Sequence, residues 1–158
     1  MIRDIKTINL PPDVEFHEDI RLFVWRPRGL LNEAIINKVV LALRDLEAAM
    51  LTPFNRFGDT LAAHKVHLNY KHIIHVSLYR RLSYANRPPV KSAILATNST
   101  IIYYARLHAL MTQRSSINVR IFQDRKEAAE WLGVPIKRIP AGRLSAKHPE
   151  GTKGTRVR

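Results

Sequence analysis

The stretch Pro89-Val90-Lys91-Ser92-Ala93-Ile94-Leu95-Ala96-Thr97-Asn98 decides the fold. Residues 90–96 form a near-continuous apolar run, interrupted by Lys91 and Ser92, and such a run fits a strand buried on both faces. Pro88-Pro89 stops the preceding helix. Asn98 or Ser99 caps a following helix that reaches about Met111, with Ile102, Ala105, Leu107, Ala109 and Leu110 among its apolar residues.

Upstream, Ile20 to Trp25 is β-rich and partly alternating, and Pro27-Arg28-Gly29 is a turn. Asn32 is an N-cap, after which Ile35, Ile36, Val39, Val40, Leu43, Leu46 and Met50 recur at helical spacing. Phe54 to Asp59 reads as a short strand and Tyr70 to Tyr84 as a helix. Downstream, Ile117 to Phe122 is a strand. Asp124 and Glu127 open a short helix as a capping box, and Gly133 ends it. Strand and helix alternate four times. That order argues for an α/β domain, a small mainly parallel sheet of about four to five strands with covering helices and right-handed crossovers.

The chain has 158 residues, enough for one domain with a real core. It divides into an N-terminal arm over 1–18, the α/β domain over 19–136 and a basic tail over 137–158. The tail is rich in Pro and Gly and poor in large apolar groups, so it is expected to be disordered. It carries seven basic side chains against one acidic, six of the formal charge of +13. Such a surface favours acidic partners, whether nucleic acid, anionic lipid or acidic protein. There are no cysteines, which removes disulfides, thiolate nucleophiles and cysteine metal sites. No apolar run approaches the roughly 20 residues that span a bilayer. With no secretory signal in Met1 to Lys6, a soluble, cytoplasmic protein is expected.

Four stretches resemble the SpoIIAA-like, STAS-related bacterial proteins. They are Phe54 to Asp59, Pro89 to Asn98, Tyr104 to Leu110, and Ile117 to Gly133 with its Phe-x-Asp-x-x-Glu-Ala-x-x-Trp-Leu-Gly close. The resemblance covers roughly Asp19 to Val134. It implies a small sheet with helices packed on it, an edge strand at the N-terminus and a role in binding. In the sporulation antagonists of that fold, a serine at the start of a helix is phosphorylated, within an Asp-x-Ser-Gly-like stretch. Here the similar stretch is Asp59-Thr60-Leu61-Ala62. Leucine accepts no phosphate, so the usual switch is not carried over; Thr60 is the neighbouring hydroxyl.

No catalytic constellation is legible. There is no Gly-x-Ser-x-Gly elbow and no Gly-rich phosphate loop, and three of the six glycines lie from Gly142 onward. His64, His67, His72 and His75 are spaced suggestively, but neither cysteine nor a nearby carboxylate other than Asp59 completes a metal set. No metal and no cofactor is therefore expected, and no enzyme. Asp59 is the one acid at a strand end. Asn98, Ser99 and Thr100 join a strand to a helix N-terminus, a place that suits an anion or an ordinary cap. Arg80 and Arg81, with Arg87, suit an acidic surface or complement a helix dipole.

These residues lead to three readings. The first is a non-enzymatic regulatory or scaffolding domain that binds a protein partner without the phosphorylatable serine. The second is a binder of lipid or a small amphiphile, suggested by the architectural similarity between STAS domains and the CRAL-TRIO lipid-transfer fold. A large apolar cavity would support it. The third is non-specific nucleic-acid binding through the basic surface and tail, with affinity falling steeply with salt.

Overall fold

The structure, a computed structural model, describes residues 4–142. In chain order it runs β1 (Val14–His17), β2 (Leu22–Trp25), β3 (Gly29–Asn32), α1 (Glu33–Ala49), β4 (Asn55–Asp59) and β5 (Ala63–His67). It continues with α2 (Tyr70–Ser83), β6 (Val90–Leu95), α3 (Ser99–Met111), β7 (Ile117–Phe122) and α4 (Arg125–Leu132). Five strands make the main sheet in the order β1-β2-β4-β6-β7. β1 is antiparallel to β2 and every other neighbouring pair is parallel. The small, mainly parallel sheet read from the sequence is thus the one that forms.

Helix ends follow side-chain chemistry. Asn32 Oδ1 accepts the Ile35 amide at 3.0 Å, and Asp124 Oδ1 accepts the Lys126 amide at 2.7 Å. Between Asn98 and Ser99, the cap is Asn98, whose Oδ1 accepts the amides of Thr100 and Ile101. Gly133 sits at φ 72° and closes α4, with its own amide donating to Glu130 O and that of Val134 to Ala129 O. This is the Schellman pattern that a glycine best permits.

From β2 to β7 each strand is added on the same side of the one before. Crossovers of a single hand then place all connecting helices on one face. α1, α2 and α3 share a core there with Phe23, Leu31, Phe54 and Ala63. α4 follows the last strand, has no crossover to complete, and packs Ala128, Ala129 and Leu132 on the other face, against Leu22, Val24, Phe57, Ala93, Leu95 and Phe122.

Three features differ from the sequence reading. The arm contains β1, so the folded unit starts before Asp19 and supplies the N-terminal edge strand implied by the resemblance. β3 and β5 pair in parallel as a separate two-stranded ribbon that the sequence did not reveal. β5 is mostly polar and exposed, and β3 lies between a turn and a helix cap, so neither carries a clear apolar signal. At the other end the ordered chain passes Lys137. Ile139 is fully buried against the α4 face, and Arg138 makes a two-pronged pair with Asp19 at 2.8 Å. One large apolar residue docks this segment, which average composition conceals. The rest of the expected disordered tail, 143–158, lies outside the described residues.

Candidate functional site

Strand β6 has parallel neighbours on both sides, β4 and β7, so its helix-facing residues should be deeply buried. They are not. Ala93 and Leu95, facing α4, have no exposed surface, whereas Ser92 and Ile94, facing α1–α3, are only half-buried. The space above them is a cavity of about 170 Å³, partly open to solvent.

Its floor is two rows of paired residues. Phe23, Arg56 and Ser92 lie side by side across β2, β4 and β6, and Trp25, Gly58 and Ile94 form the next row. Gly58 and Ser92 are small and central, which leaves volume unfilled. A methyl group on Gly58 would meet only ordinary contacts, at 3.6 Å from Trp25 Cε3 and 3.9 Å from Ala93 O. The roof comes from Ile36, Val39, Val40 and Leu43 of α1, from Ile73, Val76, Ser77 and Arg80 of α2, and from Ile101, Tyr104, Ala105 and His108 of α3. The wall is mostly apolar.

One end is polar. Glu47 of α1 lies between two arginines, bonded through Oε1 to Arg80 Nη2, with Oε2 at 3.3 Å from Arg56 Nη2. All three residues are buried, at 8% exposure or less. Arg56 also donates to the Phe54 carbonyl, and its guanidinium lies 4.6 Å from the Phe54 ring centre and 5.0 Å from that of Tyr84. Two guanidiniums share one carboxylate. Among the described residues, Arg56 Nη2 and Arg80 Nη1 have no hydrogen-bond acceptor. Burial, then the repulsion of Arg80, pulls the Arg56 pKa down, with Glu47 opposing.

His108 completes this end. The Ser77 hydroxyl donates to Ile73 O at 2.7 Å, so its contact with His108 Nδ1, also 2.7 Å, requires the imidazole to donate. The ring therefore carries a proton on Nδ1, and its depressed pKa leaves it neutral at pH 7 with Nε2 as an acceptor. Loss of hydration, and next the charge of Arg80, push its pKa down to about 4.

The residues singled out in the sequence divide sharply. Arg80 is in the cavity, but adjacent Arg81 points away and donates to Met111 O at 3.3 Å. Thr60 lines the cavity, yet it is buried and its hydroxyl donates to Leu95 O at 2.8 Å. Leu61 is on a turn between β4 and β5, not at a helix start. Asp59 is buried and partnered: Arg125 Nη1 is 2.7 Å from its Oδ2, and its Oδ1 accepts the Leu61 amide. It clamps α4 to the end of β4. Asn98, Ser99 and Thr100 are exposed, and the Asn98 side chain already serves the first free amides of α3. They do not line the cavity. In an open α/β sheet a ligand crevice forms where strand order reverses, and from β2 to β7 this order never reverses. Of the histidines, His72 bonds Asn37 Oδ1 at 2.9 Å while His64, His67 and His75 are exposed. Among the described residues no three His, Asp or Glu side chains gather as a metal set, and no helix is long and apolar enough to cross a membrane.

Glu47, Arg56, Ser77 and His108 were missed in the sequence, although a signal existed. Glu47 continues the Ile36, Val40, Leu43 stripe of α1. Arg80 continues Ile73 and Ser77 on α2, and His108 continues Ile101 and Ala105 on α3. Each buried stripe turns polar near its helix C-terminus.

These features define a mixed α/β domain with a SpoIIAA-like fold, carrying an amphipathic cavity on its three-helix face. Among solved structures, the chain is similar to an uncharacterised protein of the DUF3478 family with a SpoIIAA-like fold from Shewanella loihica PV-4. The TM-score is 0.50 at 16% identity, covering 75% of this chain and 90% of that one. At this identity the likeness is one of fold. No family model and no curated protein matches the chain.

Proposed function

We propose that the chain is a non-enzymatic binding module whose ligand is a small amphiphile held between the sheet and α1–α3. The observation that carries this reading is the half-buried state of Ser92 and Ile94 beneath a cavity of about 170 Å³ with a largely apolar wall. An engineered apolar cavity of about 150 Å³ admits benzene, so the volume suits a ligand of about six to eight carbons. Calorimetric titration with six- to eight-carbon acids, alcohols and amines tests it. Saturable one-to-one binding with a negative heat-capacity change is expected, and Ser92→Leu, which fills the floor, should abolish it. Absence of binding by every member of the series would contradict the reading.

A protein partner is a second reading, favoured by the outer surfaces of α2 and α3. Leu78, Tyr79 and Leu82 share one face of α2, and Tyr103 and Leu110 one face of α3; Leu82 is 75% exposed and Leu110 63%. Stringent capture from the native host should return a defined partner that Leu82→Glu with Leu110→Glu releases. Capture of nothing, or of the same proteins by the double variant, would count against it.

A further inference from the structure

We infer that the polar end of the cavity receives a single carboxylate, so that the ligand is a small monocarboxylic acid bound head-first toward Arg80 and Arg56. This rests on the amphiphile reading above and names its head group.

Charge is the first ground. Arg56 and Arg80 are buried, both line the cavity, and among the described residues Glu47 is the one carboxylate paired with them. His108, buried beside Arg80 with its pKa pushed down to about 4, contributes no charge at pH 7. The cluster therefore keeps one uncompensated positive charge in a low-dielectric setting. A buried charge of this kind is costly unless an anion pairs with it. One negative charge balances it, whereas a dianionic phosphate would leave an excess.

Hydrogen bonding is the second ground. Arg80 Nη1 is a buried donor with no acceptor among the described residues, and Arg56 Nη2 lies near Glu47 without hydrogen-bond geometry. Two donors on planar guanidiniums suit the two oxygens of a carboxylate. Direction is the third. Arg56 and Ser92 form one floor row, and the next row, Trp25-Gly58-Ile94, is apolar. A ligand whose head lies at the first row therefore places its tail over the second. The volume limits that tail to a short chain or one ring.

The test is a head-group series on the full chain, with hexanoate, 1-hexanol and hexylamine titrated at pH 7. Hexanoate should bind at least ~10-fold more tightly than hexanol, and hexylamine should not bind. In Arg80→Met the hexanoate affinity should fall ~10-fold or more while hexanol changes less than ~2-fold. Arg80→Lys should fall between, because it keeps the charge and loses the fork. Equal binding of hexanoate and hexanol would overturn the head-group assignment and leave the cavity reading intact. A preference for hexylamine would assign the head to Glu47 and overturn it too. An acid preference unchanged in Arg80→Met would place the charge elsewhere. Failure of all three probes would overturn the cavity reading itself. If Arg80→Met does not fold, the wild-type series and Arg80→Lys still decide.

Discussion

The two faces of one sheet are packed to different ends. On the α4 face, Leu22, Val24, Phe57, Ala93 and Leu95 are at most 1% exposed and their neighbours are apolar. On the α1–α3 face, the same strands present Arg56, Gly58 and Ser92 to a cavity with buried charge at one end. Alternation along a strand assigns successive residues to opposite faces. A single strand such as β6 therefore holds packing residues and cavity residues side by side. Volume given up on one face must be offset by dense packing elsewhere, and here that falls to α4 and Ile139.

The comparison can be broken at its most charged point first. Glu47→Gln leaves two buried guanidiniums without a carboxylate and should cost about 3–5 kcal/mol in urea unfolding. A loss below about 1 kcal/mol would mean that solvent already screens this cluster. Next comes an adjacent pair. Leu95→Ala opens a void in a filled face and should cost about 2–5 kcal/mol, while Ile94→Ala enlarges an existing space and should cost about 1 kcal/mol. Equal losses would erase the difference between the faces.

Acid sharpens the contrast further. Histidine in an unfolded chain titrates near 6.5, whereas His108 in the fold titrates at about 4. As pH falls the unfolded chain takes up this proton first. The His108 contribution is complete above about pH 6.5 and is lost progressively down to about pH 4, by up to ~3 kcal/mol. Chemical denaturation across that range should show the loss, and His108→Gln should flatten it; an unchanged slope would put the acid sensitivity elsewhere. The smallest effect is expected for Gly58→Ala. Its new methyl meets only ordinary van der Waals contacts, with Trp25 and the Ala93 carbonyl, so stability should change by less than about 1 kcal/mol while binding of hexanol weakens. A large stability loss would mean that the floor is already filled.

Much of the fold was legible because local chemistry decides it. The caps at Asn32, Asn98 and Asp124, the stop at Gly133 and the buried run of β6 each act through neighbouring residues. β3 and β5 were not legible, since their pairing depends on long-range packing and β5 is mostly polar. Ile139 was hidden within a polar, Pro-containing segment. The site was less accessible. Arg80 was noticed beside Arg81, but only the helix phase separates a buried cavity residue from an exposed one. Asp59 and Asn98 stood at strand ends where ligands often bind, and both are taken up by structural bonds. Of the polar residues that do meet, Glu47, Arg80 and His108 lie near the C-terminal ends of α1, α2 and α3, and Arg56 lies near the start of β4. Parallel strands joined by same-side crossovers make those helices run alike, so their polar ends come together. That juxtaposition needs the topology as well as the pattern.

Methyl-resolved NMR tests most directly whether the cavity face is the ligand face. Hexanoate titrated into the full chain should shift the methyl signals of Ile94, Val40, Ile73 and Ile101 in a saturable manner. Those of Leu22, Val24, Leu95 and Ile139 should stay in place. Shifts spread equally over both faces, or confined to the α4 face, would contradict the assignment of ligand binding to the cavity between the sheet and α1–α3.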